Sequence, residues 1–233
     1  FVGVDLSQAA IARGEATRRR LGLDNLQLVA ADLTTWDPGL DPFDYIVAHG
    51  FFSWVPDVVR DCLLGLCRQA LSPAGIAYVS YNALPGCHLR RLMWDMLRHH
   101  VRGIDDPRTR IAAARELLAS VESNVIGSQV YADVIRSEAR DLLRRTDTSV
   151  LFHDDLADTN QPFSIGDFAA RAGGHGLRYL GEADYHEMSD AGLTDDARAR
   201  LDARAGGDRL QREQYLDYLK GRRFRHTLLC HAE

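Results

Sequence analysis

The chain has 233 residues, 45% of them hydrophobic and 26% charged, with a formal net charge of −5. That profile fits a folded globular protein holding one large domain, or one domain with an inserted subdomain. The acidic balance argues against nucleic acid as the main partner. No apolar run reaches the roughly 20 residues that span a bilayer, and the N-terminus has no basic-then-apolar signal pattern.

In chain order, Phe1-Val2-Gly3-Val4-Asp5-Leu6-Ser7 reads as an apolar strand running into an acid, a Ser cap and a helix over 8–21. This pattern is the second strand–helix unit of a nucleotide-binding α/β domain, where the carboxylate at the strand's C-terminal end holds ribose hydroxyls. The glycine-rich turn expected one strand and one helix earlier does not precede it, so the chain reads as a piece of a longer enzyme. Further strands are predicted over 26–31, ending in Asp32-Leu33, and over 43–48, ending in His49-Gly50. A helix over 57–71 is stopped by Ser72-Pro73-Ala74-Gly75, and a strand over 76–81 follows. Short apolar strands separated by helices imply a parallel sheet covered on both faces.

From about 88 to 146 the periodicity is helical throughout, with Leu92, Met93, Met96, Leu97 and Val101 at helical spacing and Asp106-Pro107 opening a second helix. Three consecutive amphipathic helices after a strand predict an insertion over the sheet's edge or mouth. A helix over 163–174 and a strand over 177–182 come next. Residues 189–208 read as a variable helix or mobile connection, 211–220 as a helix, and 224–230 as a closing strand.

Open α/β sheets bind ligands at the carboxyl ends of their strands, and here those ends offer Asp5, Asp32 and His49-Gly50. Asp5 suits a ribose. The Asp32 carboxylate with the Leu33 amide suits an adenine, one accepting from the exocyclic amine and the other donating to a ring nitrogen. Gly50 permits close backbone approach. Each acid taken singly is equally a helix cap or turn; acids on two successive strand ends favour the ligand reading.

The order V-G-V-D-L-S, A-A-D-L, F-D-Y-I-V-A-H-G and L-S-P-A-G-I-A-Y-V-S-Y resembles the class I S-adenosylmethionine-dependent methyltransferases. The segments His49-Gly50-Phe51-Phe52-Ser53-Trp54-Val55-Pro56, Tyr81-Asn82-Ala83-Leu84-Pro85-Gly86-Cys87-His88 and Phe224 to Cys230 narrow this. They are similar to bacterial methyltransferases with a methyltransferase regulatory domain, a group similar to the rickettsial protein-lysine methyltransferases. The resemblance implies a Rossmann-like α/β sheet, incomplete at its N-terminus. An all-helical subdomain would be inserted after the family's fifth strand, and a late strand pair would close the sheet. It implies a partial cofactor core over 1–87, a helical regulatory insertion over 88–150 and a completing segment over 151–233. It places Asp5, with Leu6 beside it, on the ribose, Asp32-Leu33 on the adenine and His49-Gly50 beside the methionine part of S-adenosylmethionine. The family's first strand lies between its second and fourth, so both of those strands are expected to lack a shared neighbour.

The expected reaction is methyl transfer to a protein lysine or a small-molecule acceptor in the cytoplasm, with no nucleic acid or membrane partner and a homodimer formed through the helical insertion. Candidate acceptor-site residues are His49, as a possible base, with Tyr81 and Asn82, whose polar tips follow a strand directly. The alternatives are a non-catalytic binding or dimerisation module derived from a methyltransferase and, further off, a nucleotide-dependent reductase. Phe52 and Trp54 are expected in the core. Neither His99-His100, which diverge on a helix, nor His153-Asp154-Asp155 is expected to bind a metal. Arg222, Arg223 and Arg225 are expected to form a solvated helix end. Cys62, Cys67, Cys87 and Cys230 form no C-x-x-C pair and are expected to be reduced core fillers.

Overall fold

The computed structural model describes residues 1–39 and 41–233, apart from the side chain of Ser149. Strands β1 (Val2–Asp5) and β2 (Gln27–Ala30) form a parallel pair, joined by helix α1 (Gln8–Leu21). Ser7 caps α1 by accepting from the Ala10 amide at 3.2 Å, and Gly22 ends it in the left-handed region at φ 66°. The helix lies close on the strands because Gly3 and Gly14 have no side chain. A Cβ at either would come within 2.8 Å of a Leu28 methyl.

A separate four-stranded sheet has the order β3-β4-β6-β5. Strand β3 (Phe43–Ala48) runs parallel to β4 (Leu71–Asn82), and helix α2 (Asp57–Ala70) makes the crossover. Strands β5 (Leu177–Glu182) and β6 (Phe224–His231) join antiparallel, with β6 between β4 and β5. Among the described residues β1 and β3 do not pair with each other, so each keeps one open edge. That is the gap expected where the family's first strand would lie.

The expected helix-stopping turn takes a different form. Phe43 faces Leu71 and Tyr45 already faces Ile76, so Ser72-Pro73-Ala74-Gly75 forms a bulge inside β4. Pro73 has no N–H to give a ladder and tolerates that position. Residues 189–208, read as a variable helix or mobile connection, contain helix α8 (Asp195–Ala205).

The sheet's inner face packs on α2 and on helix α7 (Ile165–Gly174). Phe52, Leu64, Val79, Tyr81, Phe168 and Leu229 form the centre of this core. Coverage on both faces is not what the described residues give: Tyr45 and Val47 on the other face of β3 are 73% and 69% exposed.

Between β4 and β5 come helices α3 (Cys87–His100), α4 (Pro107–Asn124) and α5 (Gln129–Leu143), then the single turn α6 (Thr148–Val150) and a π turn over Leu151–Asp155. Asp106 and Ser128 cap α4 and α5 through their side chains. Met93, Leu97, Leu118, Ile135, Leu142 and Leu151 give these helices a core of their own. Helix α8 follows β5, and α9 (Arg209–Lys220) leads through Gly221, at φ 59°, into β6.

The arginines expected at a solvated helix end are mostly buried. Arg225 is fully buried and donates to Glu182, Glu213 and Asp217. Arg222 is also buried and pairs with Asp217 and Glu187, while Arg223 reaches Glu138 on α5. The sequence showed only clustered positive charge. The opposing carboxylates come from β5, α9, α5 and the 185–188 turn, so only the tertiary structure brings them to the arginines. A buried carboxylate stranded without its cation is strongly unfavourable. Arg225→Ala, which leaves three buried carboxylates facing one another, should cost about 3–5 kcal/mol in urea unfolding. Arg223→Ala should cost less, because Arg90 still pairs with Glu138 at 3.2 Å; equal costs would contradict this view of the network.

Candidate functional site

The parallel registers bring the chemistry-bearing residues to strand ends. Asp5 pairs with Ala30 and the Ala31 amide donates to the Asp5 carbonyl at 3.0 Å, so Asp5 and Asp32 emerge at the same end of the β1–β2 pair. Both are exposed, and each uses one carboxylate oxygen on a local turn. Asp5 Oδ1 accepts from the Ser7 amide at 2.7 Å, and Asp32 Oδ1 accepts from the Thr34 amide at 2.9 Å and its hydroxyl at 2.8 Å. The bonds from Thr34 hold the Asp32 carboxyl below the usual carboxylate range, so it stays ionised. The second oxygen of each acid takes no hydrogen bond from the described residues. Capping and ligand binding therefore do not compete for the same atom. Leu6 is exposed beside Asp5, and Leu33 packs partly against the main core, which fixes the turn after Asp32.

His49 and Gly50 follow directly on β3 as expected, both exposed. Gly50 has φ 62°, a conformation that glycine adopts without strain. Its amide donates to Ser80 Oγ at 2.8 Å. His49 Nδ1 lies 3.1 Å from both the Tyr78 hydroxyl and Ser80 Oγ. The His226 and Phe224 rings stand 6.0 and 6.2 Å from the His49 ring, and His226 stacks on Tyr78 at 5.8 Å.

The structure separates Tyr81 from His49, while Asn82 stays on the face of Tyr78 and Ser80, opposite Phe224. Tyr81 is fully buried, stacked on Phe168 at 4.2 Å, and its hydroxyl accepts from Thr227 at 3.3 Å. Burial pushes its phenol well above the ordinary range. The alternation of a strand explains this placement: Tyr81 shares the inner face with Ala77 and Val79, whereas Tyr78 and Ser80 point the other way. Asn82 is half-buried, and its amide nitrogen donates to Asn160 at 2.8 Å.

Much of the two longest motifs proves to be internal bracing. Phe52 lies in the core, as expected, while Trp54 is half-buried. Ser53 Oγ accepts from the Asn82 amide at 2.9 Å, joining one motif to the other. The buried Arg60 guanidinium donates to the Phe52 carbonyl at 2.8 Å and to Gln161 Oε1 at 2.7 Å. Gly86 is required by contact: a Cβ there would lie 2.2 Å from the Gly221 carbonyl oxygen.

Sequence reasoning missed Tyr78, Ser80, Phe224 and His226 around His49. Tyr78 and Ser80 were findable by period-two alternation. Phe224 and His226 depended on the β4–β6 register, which pairs Ser80 with His226 and Asn82 with Phe224. Among the described residues no three His, Cys, Asp or Glu side chains are grouped to hold a metal ion. No helix there is long and apolar enough to cross a membrane.

Residues 1–75 match the family described as "Methyltransferase domain", and residues 147–231 match "Predicted methyltransferase regulatory domain". The whole chain aligns with RP789 of Rickettsia prowazekii at 39% identity, spanning 42% of that protein. A second protein of that organism, RP028, is 31% identical over 172 residues, covering 73% of this chain and 68% of RP028. The structure superposes over its full length on that of PKMT2 from Rickettsia typhi in complex with AdoHcy, with a TM-score of 0.86 and 34% identity. The chain belongs to the methyltransferase family with a regulatory domain. It spans under half the length of RP789 and of the PKMT2 chain. The regulatory-domain match covers the turns over 148–155 and then α7, β5, α8, α9 and β6, and so includes the two strands that complete the four-stranded sheet and supply Phe224 and His226.

Tyr81→Phe tests the buried placement. It removes one hydrogen bond, so it should lower stability by about 0.5–1.5 kcal/mol in denaturant unfolding and leave binding of S-adenosylhomocysteine unchanged. A large loss of affinity without a loss of stability would return Tyr81 to the site.

Proposed function

We propose that the protein is an S-adenosylmethionine-dependent methyltransferase whose cofactor lies along the carboxyl ends of β1, β2 and β3. The observation that carries this reading is that Asp5 and Asp32 emerge at one end of a parallel strand pair, each with a carboxylate oxygen free of internal bonds. These groups fit the nucleoside: Asp5 accepts from the ribose hydroxyls, Asp32 accepts from the adenine amine, and the Leu33 amide donates to a ring nitrogen. His49 and Gly50 adjoin the amino-acid end. Leu6 supplies exposed apolar surface beside the ribose.

The bound sulfonium supplies an already activated methyl group. What remains for the protein is to hold the acceptor in line at roughly 3–3.5 Å and to exclude water. An amine acceptor attacks in its neutral form, which a dry, aromatic surrounding favours. Protein lysine is the acceptor class supported by the likeness to PKMT2. Of the three acceptor-site candidates His49 is exposed and Asn82 half-buried. Tyr81 is closed off in the core, and the side-chain nitrogen of Asn82 is committed to Asn160.

This reading divides the chain into a cofactor-binding part over 1–87, a helical insertion over 88–150 and a completing part over 151–233. Exposed Ile126, Val130 and Tyr131 on the insertion support pairing of two copies through it. All four cysteines are unbonded, in keeping with the reducing cytoplasm.

The test is a methyl-donor assay of the full protein on a cell lysate, with mass spectrometry locating the gain of about 14 Da per methyl. Calorimetry with S-adenosylhomocysteine and NAD accompanies it. Tight binding of the first alone, weakened roughly tenfold or more by Asp5→Ala, is expected. Preference for NAD, or indifference to Asp5→Ala, would overturn the proposal.

A further inference from the structure

The hydrogen-bond geometry around His49 determines which of its ring nitrogens carries the proton. Ser80 is fully buried, so no water is available to its hydroxyl. Ser80 Oγ accepts from the Gly50 amide at 2.8 Å, which occupies one lone pair and leaves the hydroxyl hydrogen to be placed. Among the described residues the only acceptor near it is His49 Nδ1, at 3.1 Å. A buried hydroxyl without an acceptor is unfavourable, so Ser80 donates to Nδ1. The neutral imidazole then carries its hydrogen on Nε2, which meets no hydrogen-bonding partner among the described residues.

Tyr78 is compatible with this arrangement. Its hydroxyl also stands 3.1 Å from Nδ1, and burial, with Glu182 nearby, raises its pKa and keeps it protonated. An unprotonated Nδ1 offers one lone pair, so Tyr78 can only share it with Ser80; the direction is set by Ser80, whose hydroxyl has no other acceptor among the described residues. The Phe224 and His226 rings flank the imidazole and restrict its rotation.

We infer that His49 presents an Nε2–H donor to the ligand cleft and binds a carboxylate oxygen there, with Ser80 and Tyr78 as positioning residues that fix its tautomer. This rests on the methyl-donor reading and deepens it. A neutral imidazole protonated at Nε2 has no lone pair free to take a proton from an acceptor amine, so His49 is a binding group for the donor's amino-acid carboxylate and is not the base expected from the sequence. The sequence carries no sign of this, because the tautomer depends on Ser80, 31 residues away on the neighbouring strand.

Two measurements test it. Ring 15N shifts of His49 in the protein, recorded above its titration, should show Nδ1 unprotonated and Nε2 protonated. Ser80→Ala combined with Tyr78→Phe should move population toward the other tautomer. A wild-type ring protonated at Nδ1 would overturn the inference. Calorimetry then compares S-adenosylhomocysteine with 5′-methylthioadenosine, which lacks the carboxylate. His49→Asn should weaken the first by roughly ten- to hundredfold and spare the second, and His49→Gln, whose amide nitrogen reaches the Nε2 position, should recover most of the loss. Equal effects on both nucleosides, or no advantage of Gln over Asn, would also overturn it. If wild-type protein binds neither nucleoside, the methyl-donor reading fails and the carboxylate assignment with it, while the ring spectrum still decides the tautomer.

Discussion

Strand β6 is the constraint on which the sheet's two faces both depend. Its residues alternate between them. Arg225, Thr227 and Leu229 point inward, where Arg225 joins Glu182, Glu213 and Asp217 and Thr227 meets both Tyr81 and Glu182. Phe224 and His226 point the other way, onto Tyr78 and His49. A strand cannot shift by one residue without exchanging its faces. Such a slip would carry the Arg225 charge out of its cage and remove the rings from His49 together. The buried ion network therefore fixes the register that builds the ring cluster.

The same economy of position holds at the insertion. Glu138 on α5 is nearly fully buried and pairs with Arg90 on α3 and with Arg223, which precedes β6. Arg60 likewise ties the loop after β3 to Gln161, beyond the helical segment. Buried polar groups call for partners, and each of these finds one in a distant part of the chain, although one guanidinium nitrogen of Arg60 and one of Arg90 have none among the described residues. They make the helical segment and the sheet interdependent while their apolar cores stay distinct.

The sequence made the strand–helix alternation legible because short apolar runs and Asp, Ser and Gly punctuation report local physics. The acids after β1 and β2 and the His-Gly after β3 were visible for the same reason. Tyr81 was ambiguous in the sequence because its residue type, polar and next to a strand end, fits both a pocket and a core. Only its partner on the inner face, Phe168, distinguishes the two. The arginines near 222–225 looked solvated because charge along a chain says nothing of the carboxylates that fold against it. His226 and Phe224 were hidden by an antiparallel register set more than 140 residues from Tyr78 and Ser80. Gly86, which seemed part of a functional motif, is explained by the close passage of the Gly221–Arg222 backbone.

The central claim is that the strand ends converge on one adenosine. A crystal structure of the full protein with S-adenosylhomocysteine tests it most directly. The account predicts the ribose hydroxyls within hydrogen-bond distance of Asp5 and the adenine amine on Asp32. A nucleoside bound elsewhere, or bound at these strand ends with both carboxylates facing solvent, would contradict it.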